Sequence, residues 1–118
     1  MKKILIMDDS ATSRALFKNC LRDQPEYEVI EAKHIEEALE KAKKNQPELI
    51  VLDYNMPDLT GTEVAQIMKK QGIKANFILL TANTQQSVID EAKKVGFLEV
   101  LEKPISSEII CTCLARLQ

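Results

Sequence analysis

No tryptophan occurs in this 118-residue chain, and aromatic residues make up only 4% of it. The few rings are not interleaved with basic residues, which argues against a surface that stacks nucleic-acid bases. Neither sign of charge dominates. A net charge of −2 gives no electrostatic footprint for nucleic acid and no basic patch for an anionic membrane. No apolar run is long enough to span a bilayer. The opening Met1-Lys2-Lys3 followed by Ile4 to Met7 has the outline of a signal peptide, but the apolar stretch is too short and two aspartates end it. There is no repeat, no low-complexity stretch and no internal linker. The three cysteines, Cys20, Cys111 and Cys113, are an odd number without an export signal, and read as reduced thiols of a cytoplasmic protein. Cys111 and Cys113 stand two apart on a predicted helix, point away from each other and make a poor metal pair.

What is present is an ordinary globular composition, 45% apolar and 29% charged, in one domain long enough to bury a core. The pattern alternates strand and helix. It predicts strands over 3–7, 27–32, 48–53, 76–81 and 98–102, and helices over 10–23, 34–45, 60–71, 84–95 and 105–117. Helical stripes support this, as in Ile35, Ala38, Leu39 and Ala42, or Ile105, Ile109, Cys113 and Leu117. The first, third and fourth strands are apolar nearly throughout, as central parallel strands covered on both faces are. The second, Tyr27 to Ala32, is mixed and suits an edge. Gly72 and Gly96 follow helices, where a left-handed cap favours glycine. Thr60 and Glu63 have capping-box spacing. Pro25, Pro47, Pro57 and Pro104 all fall in connections. Alternating units of this kind form an α/β doubly wound fold, a five-stranded parallel sheet flanked by five helices. Ligands of such folds sit outside the carboxyl ends of the strands.

The candidate chemistry lies at that edge. Asp8 and Asp9 follow Ile4-Leu5-Ile6-Met7; Asp53 ends Leu49-Ile50-Val51-Leu52; Thr81 follows Phe77 to Leu80; Lys103 follows Leu98 to Glu102. Each alone has an ordinary explanation: an acidic pair favoured by a helix N-terminus, a turn aspartate, a strand threonine, a solvated lysine. Together they describe a site for a hard divalent cation, which prefers oxygen ligands, and for phosphoryl uptake on an aspartate. A cation offsets the repulsion between a carboxylate nucleophile and a phosphorylated donor. The carbonyl of Asn55 is a further possible ligand. Lys103 is placed to meet a phosphoryl oxygen as a point charge, and the Thr81 hydroxyl to donate to one. His34, the sole histidine, opens the second helix and reads as a surface or cap residue away from the acidic edge.

Asp8-Asp9, Asp53-x-Asn55-Met56-Pro57, Gly61, Thr81-Ala82 and Lys103-Pro104 stand in the order and spacing of a known family. Over essentially its whole length the chain resembles the receiver domain of bacterial two-component response regulators, most closely the stand-alone, chemotaxis-type (CheY-like) members. The resemblance implies a flavodoxin-like sheet of order 2-1-3-4-5 and a single receiver domain over 1–118 with no output domain. It implies that Asp53 accepts a phosphoryl group from a sensor histidine kinase. Mg²⁺ is then held by Asp9, Asp53 and the Asn55 backbone carbonyl, with Asp8 in contact through water. Lys103 and Thr81 bind the phosphoryl oxygens, and the Lys103–Pro104 peptide is cis. A monomer is implied, catalysing only its own phosphorylation and dephosphorylation. An effector, motor or phosphotransfer protein would read the face of helix four, strand five and helix five. The kinase would dock on the first helix around Thr12, Ala15, Leu16 and Asn19. The chain departs from the family at Val100, where an aromatic switch residue is usual. Asn83, two residues past Thr81, occupies a position that influences phosphorylation and hydrolysis rates.

Other readings are a phosphorelay intermediate, the receiver half of a longer transcription regulator, and a Mg²⁺-dependent phosphatase of the haloacid-dehalogenase type. The last usually carries Asp-x-Asp, whose second acid serves as general acid and base. Asn55 stands at that position here and cannot act so.

Overall fold

The computed structural model describes residues 2–82 and 84–117, so Asn83 lies outside the described residues. Five strands and five helices alternate: β1 Lys2–Met7, α1 Ala11–Cys20, β2 Tyr27–Ala32, α2 Ile35–Asn45, β3 Leu49–Asp53, α3 Gly61–Lys70, β4 Asn76–Thr81, α4 Gln86–Val95, β5 Glu99–Glu102 and α5 Ser107–Arg116. The strands form one parallel sheet in the order β2-β1-β3-β4-β5. The alternation, the doubly wound architecture and the strand order all match the expectation.

Alternate residues of the central strands serve opposite faces, as a pleated strand requires. Leu5, Met7, Ile50, Leu52, Phe77 and Leu79 pack under α2, α3 and α4, against Ala38, Ala42, Val64, Ala65, Met68, Val88 and Ala92. Ile4, Ile6, Leu49, Val51, Ile78 and Leu80 pack under α1 and α5, against Phe17, Cys20, Ile110, Cys113 and Leu114. Burying each large apolar side chain contributes roughly 1.5–3 kcal/mol, and the two cores clamp the sheet from both sides. On α5 the stripe differs from expectation. Ile110, Cys113 and Leu114 face inward and Ile109 is exposed. The helix begins at the Ser106 cap, whose hydroxyl accepts from the Ile109 N–H, and docks on α1 in that phase.

Local chemistry sets the helix ends. Ser10 and Ser106 cap α1 and α5, and Thr60 with Glu63 forms the reciprocal capping box of α3. Gly96 ends α4 with φ +103°, a left-handed conformation that costs a β-carbon dearly. Lysines close three helices: Lys43 and Lys44, Lys69 and Lys70, Lys93 and Lys94. Cations there complement the carbonyl ends of the helix dipoles. They also stand at the amino edge of the sheet, opposite the acidic cluster, so folding separates charges that nearly cancel in the sequence.

Candidate functional site

Register brings the acidic residues level. Met7 pairs with Leu52 on one side and Ala32 on the other, so Asp8 emerges beside Asp53. Asp53 pairs with Leu80, and Thr81 with Glu102. The N–H of Lys103 donates to the Thr81 carbonyl (2.9 Å), which turns the lysine side chain over the carboxyl edge. Asp8 and Thr81 are 1% exposed and Asp53 is 7% exposed, while Asp9 is open to solvent.

One carboxylate oxygen from each of Asp8, Asp9 and Asp53 lies within 4.8 Å of the others. At that spacing two unit charges repel by roughly 3–4 kcal/mol at an effective dielectric of 20. The Lys103 ammonium answers part of this, 2.9 Å from Asp53 Oδ1 and 3.4 Å from Asp8 Oδ2. Burial raises the pKa of Asp53, the Lys103 hydrogen bond lowers it, and the Asp8 and then Asp9 charges raise it; the net direction is up. Burial works against the Lys103 charge, but the Asp53 carboxylate, followed by Asp8, outweighs it and raises the lysine pKa. Three converging oxygen anions whose charge the Lys103 ammonium only partly offsets are a donor set suited to a hard dication, and the residues therefore fit Mg²⁺.

The loops hold this geometry. Asp8 Oδ1 accepts from the Ser10 N–H (2.9 Å), and the Asp8 N–H donates to the Ala32 carbonyl (3.1 Å). Tyr54 donates its N–H to the Leu80 carbonyl (2.8 Å) and its carbonyl accepts from Gly61 (3.1 Å). Asn55 is exposed and tied by an isolated antiparallel bridge to Thr60. The Lys103–Pro104 peptide is cis, as expected. Val100 pairs with Leu79 and packs, half-buried, on the core beneath α2 to α4.

His34 departs from expectation. It caps α2, its Nδ1 accepting from the Glu37 N–H (3.2 Å). It is not away from the acidic edge, however, because it lines a cleft of about 420 Å³ with Asp9, Met56, Pro57, Asp58 and Leu59. The reason is topological: every strand of a parallel sheet releases its chain at the same edge, and β2 ends in register with β1.

The sequence reading missed two groups. Arg14 lies 9% exposed on α1, donating from Nη1 to the Asp8 carbonyl (2.7 Å) and from Nε to Glu31 (3.0 Å). A signal was available, since Arg14 is the charged member of the buried stripe Arg14, Phe17, Cys20. The other group joins α4 to the loop after Asp53. Glu91 accepts from the buried Thr62 hydroxyl through Oε1 and from the Tyr54 hydroxyl through Oε2 (3.2 Å). No local pattern announces that contact.

Known proteins resemble the chain in sequence and in fold. The response regulator receiver domain family matches residues 4–115. The chain is 33% identical to the chemotaxis protein CheY of Listeria monocytogenes over 117 residues, 98% of each protein. Its fold superposes on Vibrio cholerae CheY4 with a TM-score of 0.91 and 34% identity, covering 100% of this chain and 99% of that one. It superposes on the response regulator TrrA of Thermotoga maritima, solved in complex with Mg²⁺ and BeF, with a TM-score of 0.84 and 31% identity, covering 100% of both.

Proposed function

This chain belongs to the response regulator receiver domain family, and from that premise we propose that it is a phospho-acceptor switch whose nucleophile is Asp53. The observation that carries the reading is the convergence of Asp8, Asp9 and Asp53 within 4.8 Å under the Lys103 ammonium. Residues 1–118 are read as one receiver domain, acting in the cytoplasm. No helix among the described residues is long and apolar enough to cross a membrane.

An Asp53 carboxylate oxygen attacks the phosphorus of a phosphohistidine on a sensor kinase in line with the leaving nitrogen. The P–O bond forms as the P–N bond breaks, and the electron pair returns to the imidazole. Lys103, already 2.9 Å from Asp53, stays with the phosphoryl oxygens and offsets their charge. Thr81, at the end of the adjacent strand, donates to another of them. Mg²⁺ held by Asp8, Asp9, Asp53 and the Asn55 carbonyl supplies charge neutralisation when bound. The catalysis is confined to the chain's own phosphorylation and dephosphorylation. Asn55 offers no acid for turnover of a phosphate ester, which counts against a dehalogenase-type phosphatase.

Two surfaces serve partners. Leu16 is 45% exposed, and Thr12, Ala15 and Asn19 share its open side of α1. Leu16, Ala82, Pro104 and Ile105 line an apolar cleft of about 330 Å³ that reaches Asp8 and Lys103, which suits a kinase helix delivering its histidine. The face of α4, β5 and α5 is read by an effector, motor or phosphotransfer protein. Without a ring at Val100, phosphorylation reaches that face through the loop after β4 and biases two pre-existing arrangements.

The test is incubation with acetyl phosphate, with and without Mg²⁺, followed by intact mass. One added phosphoryl group that needs both Mg²⁺ and Asp53, and is absent in Asp53→Asn, is the expected result. Absence of an adduct in the wild type would refute the reading.

A further inference from the structure

Asp9 is the exposed member of the acidic cluster, and among the described residues its carboxylate has no hydrogen-bonded partner. Asp8, by contrast, is held by Ser10 and Lys103, and Asp53 by Lys103. The position of the Asp9 carboxylate therefore depends on its backbone, whose preceding peptide plane contains the Asp8 carbonyl. Arg14 Nη1 donates to that carbonyl at 2.7 Å inside the protein. The guanidinium is itself fixed: Nε donates to Glu31 Oε1 on the neighbouring strand at 3.0 Å, and Lys18 holds the other oxygen of Glu31 at 3.2 Å. The planar fork of arginine suits a two-partner clamp, whereas an ammonium does not reproduce it. Pairing with Glu31, which it shares with Lys18, offsets part of the guanidinium charge that would otherwise repel a nearby cation.

We propose that Arg14 is a positioning residue of the metal site, holding the Asp8–Asp9 peptide so that the Asp9 carboxylate is delivered to the cation. The inference rests on the Mg²⁺ reading of the acidic cluster. Partners behind metal ligands tune affinity by about 10–100-fold when removed. Arg14 would do so through the main chain rather than through a ligand side chain.

The experiment is a Mg²⁺ titration followed by the amide resonances of Asp9 and Asp53, on the wild type, Arg14→Met, Arg14→Lys and Phe97→Leu. Phe97 packs edge-on against Phe77 near the opposite end of the sheet, so Phe97→Leu lowers stability without touching the site. Arg14→Met is expected to weaken Mg²⁺ binding about tenfold or more, with Arg14→Lys between it and the wild type. Phe97→Leu is expected to keep the wild-type affinity despite a lower melting temperature. An Arg14→Met protein that binds Mg²⁺ within about twofold of wild type overturns the proposal, as does equal weakening in Phe97→Leu. If Arg14→Met does not fold, Arg14→Lys decides: weakening of about threefold or more supports the proposal, and less overturns it. A wild type that binds no Mg²⁺ removes the metal reading itself, and this inference with it.

Discussion

Replacing Gly61 by alanine tests how tightly the fold is closed around the nucleophile. Gly61 is the first residue of α3, and its N–H reaches the Tyr54 carbonyl at 3.1 Å. A β-carbon there would stand 2.7 Å from the Asp53 carbonyl oxygen and 2.8 Å from Leu79 Cδ1. Neither neighbour can yield easily, since Leu79 is fully buried and the carbonyl belongs to the last residue of β3. Overpacking of this kind costs about 1–3 kcal/mol, against up to about 1 kcal/mol that alanine gains in helix propensity. A net loss of about 1–2 kcal/mol corresponds to a melting temperature lower by roughly 3–10 °C in a domain of this size. Relief that displaces Asp53 shifts its carboxylate relative to the Lys103 ammonium, now 2.9 Å away. A shift of a few tenths of an ångström is expected to slow acetyl-phosphate uptake about tenfold, since a full ångström costs about a hundredfold. Gly72→Ala is the contrast. Gly72 has φ +82° and open space around its Cβ position, so that variant loses about 1 kcal/mol from backbone strain and keeps the wild-type rate. Thermal melting by circular dichroism and phosphorylation timed by intact mass measure both. A Gly61→Ala protein with unchanged melting temperature and rate would refute the close-approach argument.

Lys103→Met should leave the fold intact and slow phosphorylation by about 10²-fold or more, because it removes the ammonium that stands 2.9 Å from Asp53 and offsets the charge developing on the phosphoryl oxygens; stopped samples analysed by mass spectrometry give the rate. Thr62→Val should destabilise by about 1.5–3 kcal/mol, since it takes a buried donor from the Glu91 carboxylate; urea unfolding reads this, and an unchanged midpoint would refute the link between α3 and α4. Burial raises the pKa of Glu31, but hydrogen bonds from Lys18 and Arg14 and then their charges bring it below the ordinary 4.5. Its contribution to stability is therefore complete above that value and lost as the pH falls through the lower folded value. Glu31→Gln should be less stable than wild type near neutrality and converge with it in acid, as melting curves across pH would show. Burial, and next Glu99, pushes the Cys113 thiol up to about 11, and burial also raises Cys20. Iodoacetamide at pH 8 should label Cys111 in the native protein and reach the other two only after denaturation.

Much of this protein was legible from the sequence because the signals involved are local. The apolar run Ile50-Val51-Leu52 needs no partner to be read as a buried strand, and the Thr60–Glu63 spacing needs none to be read as a cap. Parallel alternation then sends every strand's carboxyl end to one edge, so Asp8, Asp9, Asp53, Thr81 and Lys103 were expected to converge, and they do. The tertiary structure alone decided how they meet. Lys103 lies 2.9 Å from Asp53 and 3.4 Å from Asp8 because of register between strands that local patterns do not encode. Strand register likewise put His34 on the acidic edge, and helix docking turned Ile109 outward in favour of Ile110. The clamp of Arg14 on the Asp8 carbonyl and the bridge of Glu91 to Tyr54 and Thr62 join different elements. Periodicity specifies which face of an element is buried; which polar group it meets there depends on the element packed against it.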